Sequence, residues 1–179
     1  MRSSNASEEY IKDSLSKDLS SVEDTYLVHR GTFLVMERLE DGHIVGMVGL
    51  QDLSRAPRRP HSSGTATTTS MPRVGHESDV QSNNYGDEDG KNMCELRRMS
   101  VHSGERRKGR GAQLIERCIG HAKEQGFRGI QLSTGSWMTT AVEFYVSLGF
   151  EAKGIVQYYR DGKVYNIQQL EMLFDSSSS

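Results

Sequence analysis

The first segment of the chain has apolar residues at helical spacing. Successive members of this set are separated by four, four, three and four positions, which places them on one helical face. They are Ile11, Leu15, Leu19, Val22 and Tyr26. With Ser7 as the N-cap and two glutamates directly after it, the pattern predicts a helix over residues 7–27.

Alternating and continuous apolar stretches then predict two β-hairpins. Asp41-Gly42 separates "TFLVMERL" from "IVGMVGL", and such a pair favours a hairpin turn because both turn positions need positive φ. We expect antiparallel strands over 32–39 and 44–50. The stretch "GIVQYYRDGKVYNIQQLEMLF" predicts a second hairpin, with its turn at Asp161-Gly162.

Two strands and a helix are predicted between the hairpins. The strands are "ELRRMSV" at 95–101 and "GIQLST" further along the chain. A helix over 110–125 separates them, and Gly126 is its C-cap. Its apolar stripe consists of Leu114, Ile115, Cys118, Ile119 and Ala122.

A second, shorter helix is predicted by Thr140 and Glu143, which have the spacing of a capping box. This helix is expected to end at Gly149. The elements together predict an α/β (α+β) fold in which helices flank a mixed, largely antiparallel sheet.

Residues 54–92 interrupt these patterns. All three prolines lie in this stretch, together with "SSGTATTTS" and "QSNNYGDEDG". Few of these side chains could offset the entropy lost on ordering. We therefore expect one domain over 1–179, with a disordered insert at 54–92 and a loose tail at 175–179.

Composition and charge argue against several classes of protein. The net charge of −2 across 179 residues argues against binding to a polyanion such as nucleic acid. The two cysteines favour a reducing compartment over a disulfide scaffold. The polar N-terminus lacks the apolar core of a signal peptide, and no apolar run is long enough to span a membrane. These features together lead us to expect a cytoplasmic protein. The six histidines have no metal-ligand spacing, so we expect no metal.

The candidate chemistry lies in "ERRKGRGAQLIERC", where cations and two glycines run directly into a helix. A P-loop needs Lys-Ser/Thr after its second glycine, and Arg110-Gly111 follows Gly109 instead. A dinucleotide fingerprint fails because Leu114 occupies its last small position. Arg106-x-x-Gly109-x-Gly111 fits a third form, which holds a pyrophosphate on helix N-terminal amides. On this segment alone, a basic turn without a ligand remains an alternative.

Two motifs resemble the GNAT superfamily of acetyl-CoA-dependent N-acetyltransferases. They are "MSVHSGERRKGRGAQLIERCIGHAKEQGF" and the later "LSTG" followed by "AVEFYVSLGF". "LRRMSV" and "IKDSLSKDLSSVEDTYL" are similar to the camello-like branch, which includes the cysteine-conjugate N-acetyltransferases. The resemblance runs from about residue 8 to residue 174, excluding the insert.

The resemblance implies acetyl-CoA as co-substrate and a set of residues that hold it. The pyrophosphate would lie on the amides that follow Arg106, and the pantetheine arm along strand 95–101. The Val101 amide would face the thioester oxygen. The implied cofactor-binding residues are Met99, Val101, Arg106, Arg107, Lys108, Gly109, Arg110, Gly111 and Ala112.

The resemblance also implies catalytic residues. Tyr145 matches the family tyrosine that protonates the leaving thiolate, with a core-packing tyrosine as the alternative. Glu95 lies at the spacing of a general base that acts through water, with a surface ion pair to Arg97 or to a neighbouring lysine as the alternative. His102 is a second candidate base. Met138 stands where many relatives have an asparagine that contacts the coenzyme, so that contact is in doubt.

The sequence departs from the family at its N-terminus. The first strand and first helix of a complete family domain are missing, as is the hydrophobic segment of the camello-like branch. We therefore expect "TFLVMERL" to expose an apolar edge. Membrane association is the alternative to a cytoplasmic location if such a segment belongs to the protein.

Three functions compete at this point. The resemblance favours an N-acetyltransferase that acts on a primary amine of a small molecule, such as a cysteine conjugate, or of a protein. The alternative on the same fold is a non-catalytic acyl-CoA-binding module. Nucleic-acid binding through the basic residues is disfavoured, because no aromatic residues interleave them. The oligomeric state is not predicted.

Overall fold

The computed structural model describes residue 12 and residues 15–54, 92–160 and 163–174. The predicted tail and the Asp161-Gly162 turn lie outside these residues, as does all of the predicted insert except its two ends. In chain order the elements are a π-helical turn Glu23–Leu27, β1 Thr32–Glu37, β2 Ile44–Asp52, β3 Met93–Val101, a 3-10 turn Ser103–Glu105, α1 Arg110–Glu124, β4 Gly129–Gly135, α2 Thr139–Ser147, β5 Glu151–Arg160 and β6 Lys163–Leu173.

The described strands form a mixed sheet in the order β1-β2-β3-β4-β6-β5. Every neighbouring pair is antiparallel except β3 and β4, which are parallel and connected by α1. The predicted mixed, largely antiparallel sheet with flanking helices is therefore confirmed. β3 and β4 pair only from Met93–Glu95 against Gly129–Gln131, and the two strands separate beyond those residues.

α1 matches its predicted bounds and supplies much of the core. Its stripe residues Leu114, Ile115, Cys118 and Ala122 are all buried. They pack on the β2 and β3 side chains that point to the same face of the sheet, among them Val48 and Leu96. The helix ends as predicted, because Gly126 adopts a φ of +71°. The Gly126 and Phe127 amides donate to the carbonyls of Lys123 and Ala122, which completes a Schellman cap.

The helix predicted over 7–27 is not continuous where it is described. Residues 16–20 form turns and a bend, and a π-helical turn follows at Glu23–Leu27. Serine hydroxyls compete locally with helical bonding, since Ser20 Oγ donates to the Lys17 carbonyl and Ser21 Oγ to Asp24. Of the predicted apolar face, Tyr26 is fully buried, whereas Leu15 is exposed.

The predicted two-residue turn of the first hairpin and the predicted capping box of the short helix are also wrong. The first hairpin closes through a wider loop, in which the Arg38 amide donates to the His43 carbonyl and only Gly42 of the Asp-Gly pair has positive φ. The Asp41 carboxylate instead accepts from Arg38. α2 starts at Thr139 with Met138 as its N-cap and no side-chain cap, so the Thr140–Glu143 capping box does not form.

The two ends of the predicted insert are anchored side by side. Arg30 donates to Asp52 at 3.0 Å and to Asn92 at 2.8 Å, and it also reaches Ser54. The Leu53 amide donates to the Met93 carbonyl. The long connection therefore leaves and re-enters the sheet at one point, between β2 and β3.

β1 lies at one edge of the described sheet, the position expected for "TFLVMERL", and Val35 is 56% exposed. Among the described residues no helix has both the length and the apolar character needed to cross a bilayer.

Both cysteines should be unreactive in the folded protein. Cys94 and Cys118 are free and fully buried. Burial raises the pKa of Cys118 to about 12 and that of Cys94 further still, which removes the nucleophilic thiolate. We expect Ellman's reagent at pH 8 to detect no thiol in native protein and both thiols in guanidinium. Rapid labelling of the native protein would contradict this packing.

Candidate functional site

β3 carries a bulge in the middle of its pairing with β2. Gly49 pairs with Arg97 and Met47 pairs with Ser100, so Val48 faces both Arg98 and Met99. Arg98 adopts a φ of +56°, a left-handed conformation that costs a non-glycine residue on the order of 1–3 kcal/mol.

The bulge changes which side chains of β3 face the core. Simple alternation from Leu96 would direct Arg98 and Ser100 inward. Met99 and Val101 pack against the core instead, while Ser100 is exposed. The extra residue thus keeps the second half of the strand apolar on the face that α1 covers.

The bulge also changes the direction of the backbone amides. Paired residues of an antiparallel ladder alternate between hydrogen-bonded and non-bonded positions. The His102 amide donates to the Val45 carbonyl, so the adjacent pair of Val101 and Gly46 is non-bonded. The amide of Val101, and that of Met99 two residues earlier, therefore point away from β2. Since β4 has separated from β3 there, these amides line an open edge.

Arg106 and His102 shape the turn that follows this edge. Arg106 Nε donates to the Val101 carbonyl at 3.0 Å, which anchors the end of β3 to the loop. The His102 side chain accepts from the Gly104 amide at 3.3 Å and caps the 3-10 turn. Both side chains therefore have local structural contacts.

The loop before α1 presents a row of amides without acceptors. None of the amides of residues 107–112 donates to another described residue, and the first intrahelical bond runs from Gln113 to the Gly109 carbonyl. Arg107 and Gly109 have φ values of +63° and +76°, with a residue of negative φ between them. Such alternation turns successive amides into one concavity, a form that binds anions. No atom lies within 4 Å of the position a Gly109 Cβ would occupy.

β3, α1 and α2 meet at Gly111. A Cβ there would lie 3.1 Å from Phe144 and 3.3 Å from Met99. A side chain at this position would require both neighbours to move by a few tenths of an ångström, so glycine favours the close approach of α1. This contact places the unpaired amides beside the open edge of β3.

Tyr145 lies in the core directly behind this junction. It is 7% exposed, and its ring packs against Phe144 and Phe150 with centroid separations of 5.3 and 5.7 Å. Burial, with a smaller contribution from Cys118, raises the pKa of Tyr145 to about 12. The hydroxyl makes no hydrogen bond to the described residues, and it is not among their buried polar atoms that lack a partner. It is therefore accessible to water and remains protonated near neutral pH.

Glu95 occupies the last position at which β3 pairs with both neighbouring strands. It lies opposite Gln51 of β2 and Gln131 of β4. Cys94 and Leu96 point into the core, so the Glu95 side chain points to the other face of the sheet. The alternative ion pair with Arg97 is absent among the described residues, where Arg97 donates to Gln51 instead.

Glu105 is the acidic centre of the basic loop. Its side chain is 11% exposed and lies 3.2 Å from Lys108, 3.7 Å from Arg110 and 3.9 Å from Arg38. The hydrogen bond from Lys108, followed by the charges of its other neighbours, holds the pKa of Glu105 below its ordinary value. Nε of Arg110 is the one buried side-chain polar atom in the described ranges without a hydrogen-bond partner.

A second charged cluster holds the segment before β1 against the bulge. Asp18 is buried and accepts from both Nε and Nη2 of Arg98, the former at 2.7 Å. It also accepts from the Tyr26 hydroxyl at 2.5 Å, and Arg97 lies 4.0 Å away. Burial alone would raise the pKa of Asp18, but the bonds from Arg98 and Tyr26 outweigh burial and hold it far below its usual range.

Trp137 and Met138 lie between β4 and α2. Trp137 is exposed and lies over Gly135, and Met138 accepts a weak bond from the Thr134 hydroxyl. Within the described ranges, no cluster of His, Cys, Asp and Glu side chains could hold a metal ion.

The model of the Acetyltransferase (GNAT) family matches residues 3–150. The chain belongs to this family. Its separated parallel strands and its glycine loop are therefore elements of a GNAT acetyltransferase fold.

The relatives agree with the predicted resemblance to the camello-like branch. N-acetyltransferase 8 of Rattus norvegicus is 27% identical over 146 residues, which cover 81% of this chain and 51% of the relative. N-acetyltransferase family 8 member 2 of the same organism is 24% identical over 145 residues, or 81% of this chain and 50% of the relative. The chain thus spans about half the length of these curated relatives.

Solved GNAT structures support the fold. The protein yncA of Salmonella typhimurium, whose structure is described with its cofactor acetyl-CoA, has a TM-score of 0.58 and 16% sequence identity. The likeness covers 94% of this chain and 76% of that protein.

The predicted site residues of this GNAT domain fall into two groups. Met99, Val101, the loop 106–112 and Tyr145 lie around the junction at Gly111, whereas Glu95 lies earlier on β3 and faces the opposite side of the sheet. The bulge at Arg98 and both charged clusters were not predicted from the sequence. The apolar spacing of "CELRRMSV", which lengthens by one after Leu96, is a signal that could have revealed the bulge.

The Glu105 cluster predicts a pH-dependent contribution to stability. A carboxyl whose pKa is lowered by folding stabilises the protein above its unfolded pKa, near 4.5 for Glu105, and loses that contribution as pH falls through the folded value. We expect wild type to be more stable than Glu105→Gln at pH 7, with the difference shrinking below about pH 4.5. Urea unfolding between pH 3 and 7 measures this difference. Glu116→Gln, at an exposed glutamate of α1, is the control, and an equal loss in both variants would contradict the role of the cluster.

Proposed function

We propose that this chain binds acetyl-CoA and transfers its acetyl group to a primary amine. The observation that carries the proposal is the row of unpaired amides at residues 107–112, which adjoins the open edge of β3. The family and the acetyl-CoA complex of a structural neighbour support the choice of ligand.

In this proposal the coenzyme diphosphate lies on the amides of residues 107–112. Each hydrogen bond from a backbone amide to a charged phosphate oxygen contributes on the order of 1.5–3 kcal/mol. The positive end of the α1 dipole and the side chains of Arg107, Lys108 and Arg110 add longer-range attraction. Arg106 supports the loop through the Val101 carbonyl, and the pantetheine arm continues along β3 beside the Met99 and Val101 amides.

The chemistry begins with attack by a neutral amine on the thioester carbonyl carbon. Negative charge then develops on the carbonyl oxygen, which the Val101 amide stabilises, and a preorganised donor of this kind contributes roughly 3–4 kcal/mol. The C–S bond breaks as the carbonyl re-forms, and the thiolate leaves. Tyr145 hydrogen-bonds to this thiolate and is the proposed source of its proton. Tyr145 stays protonated at neutral pH, so it can donate this hydrogen bond, while its raised pKa makes complete proton transfer to the thiolate uphill.

The attacking nitrogen loses one proton in the same reaction. We propose that Glu95 accepts this proton through a water molecule. The position of Glu95 at the point where β3 and β4 separate, without a competing ion pair among the described residues, supports this assignment. An acceptor that arrives as an ammonium ion loses one further proton before it attacks.

The acceptor is proposed at the level of chemical class. A primary amine of a small molecule, such as a cysteine conjugate, or of a protein fits the names of the N-acetyltransferase relatives. We also propose that residues 1–179 form one such domain in the cytoplasm, because both cysteines are free and buried. Residues 54–92 form an insert in this proposal, and residues 175–179 a tail.

Replacement of Gly109 tests the coenzyme site. Gly109→Glu places a carboxylate in the anion-binding concavity, so we expect acetyl-CoA affinity to fall by at least about tenfold in isothermal titration. Gly126→Glu at the other end of α1 is the matched control, since Gly126 has a φ of +71° and no atom lies within 4 Å of the added Cβ. Its affinity should equal that of wild type. Equal affinities of all three proteins would refute the site.

Replacement of Tyr145 tests the chemistry. Tyr145→Phe preserves the ring contacts, so kcat should fall roughly 10- to 100-fold while the Kd for acetyl-CoA stays within about threefold. Free thiol release across an amine panel measures kcat, and Tyr165→Phe on β6 is the control. An unchanged kcat would contradict the acid role. Coenzyme binding without thiol release in wild type would instead indicate a non-catalytic acyl-CoA-binding module.

A further inference from the structure

We propose that Asp18 and Tyr26 are positioning residues for acyl transfer. Together they hold Arg98 in the left-handed bulge conformation that turns the Val101 amide to the open edge of β3. The proposal rests on the function proposed above, and it concerns a segment that lies about 80 residues before the bulge.

The register of β2 and β3 shows what the bulge accomplishes. Without the extra residue, the pairing of Gly49 with Arg97 would continue and place Val101 opposite Val45. Pair types alternate along the ladder, and the Leu53 amide donates to Met93, so Val101 would then occupy a hydrogen-bonded position. Its amide would point into β2 and be unavailable to a ligand. The one-residue shift at Arg98 reverses that direction.

The side chain of Arg98 is held by Asp18, which Tyr26 holds in turn. Both oxygens of Asp18 accept from its guanidinium, and the Tyr26 hydroxyl fixes the same carboxylate. Gly49 leaves room for the Tyr26 ring to pack on the sheet, because a Cβ at this position would lie 2.5 Å from the ring. A residue strained at φ +56° persists only if its surroundings over-determine it, and this cluster supplies that restraint.

The cluster also shares a face with Arg97. Gly49 and its pair partner Arg97 lie on the face opposite α1, where Tyr26 covers Gly49. The bulge brings Arg98 to that face as well, so two consecutive arginines point toward one carboxylate. Ordinary alternation would separate them. The position of Asp18 is therefore matched to the bulged form of the strand.

Asp52 provides a matched comparison for a purely structural role. Like Asp18 it is a buried carboxylate that accepts two bonds from an arginine, here Arg30. It lies at the far end of β2, opposite Cys94 and away from the bulge. Loss of either charge should destabilise the fold, but only loss of Asp18 should misdirect the Val101 amide.

The first experiment compares Asp18→Asn with Asp52→Asn in the full chain. We expect both to lower the melting temperature. Asp18→Asn should also lower kcat for thiol release by roughly 10- to 100-fold, with the Kd for acetyl-CoA within about threefold because residues 107–112 are untouched. Asp52→Asn should keep kcat within about twofold of wild type. Equal kcat values in the two variants would overturn the proposal.

Glycine rescue distinguishes backbone conformation from charge. Glycine adopts positive φ without strain, and alanine does not. The double variant Asp18→Asn/Arg98→Gly should therefore recover most of the kcat lost in Asp18→Asn, whereas Asp18→Asn/Arg98→Ala should not. Both doubles remove the same two charges. If Asp18→Asn alone fails to fold, the two double variants still test the proposal. Equal kcat values of the glycine and alanine double variants would contradict it.

Hydrogen exchange tests the positioning role of Asp18 independently of acetyltransferase activity. In Asp18→Asn, but not in Asp52→Asn, peptides that cover residues 97–102 should exchange at an altered rate at temperatures where both proteins are folded. This result stands even if wild type shows no turnover with any amine, an outcome that would refute the acetyltransferase function alone. Unchanged exchange over 97–102 in Asp18→Asn would refute the positioning role.

Discussion

A backbone N–H that has no acceptor costs free energy of roughly 1–3 kcal/mol when it is removed from water, so strands and helices usually pair their amides internally. Here β3 leaves β4 after Glu95, and α1 begins with a row of amides that have no partner within the described part of the chain. Both openings converge at Gly111, where the lack of a side chain lets α1 touch β3 and α2. The arrangement can be tolerated because the edge is solvated when empty and satisfied when an anionic ligand with a polar arm occupies it.

The charges around these openings keep the loop ready for such a ligand. Arg107, Lys108 and Arg110 would repel one another if they stood alone, and the nearly buried Glu105 lies within ion-pair distance of the latter two. The carboxylate belongs to the turn before the loop, so it draws the cations together without occupying the amide concavity. The same run of sequence therefore contains both the attraction for phosphate and the counter-charge that holds the empty loop in shape.

Much of this framework follows from local sequence. The stripe of α1, its Gly126 cap and the spacing of Gly109 and Gly111 each depend on neighbours within one or two helical turns, and all of them are placed as predicted. The failures have non-local or competing local causes. Serine hydroxyls interrupt the predicted N-terminal helix, and the Asp41 carboxylate is engaged by Arg38 in a wider hairpin loop. Arg98 meets Asp18 across 80 positions, and no periodicity within either segment indicates that contact.

The two faces of β3 differ in a way that bears on how a proton would travel. Tyr145 packs among the side chains on the face that α1 covers, whereas Glu95 points to the other face, in line with Gln51 and Gln131. If these residues are the proposed acid and base, the amine loses its proton on one side of the strand and the sulfur gains one from the other side. No single group then needs to change roles during a turnover. Such a division requires both substrates to be present together at the open edge, with the coenzyme approaching from the α1 side and the acceptor from the Glu95 side. The geometry of β3 thus favours direct transfer within a ternary complex over a covalent acyl-enzyme, and the deeply buried thiols of Cys94 and Cys118 offer no nucleophile for the latter route.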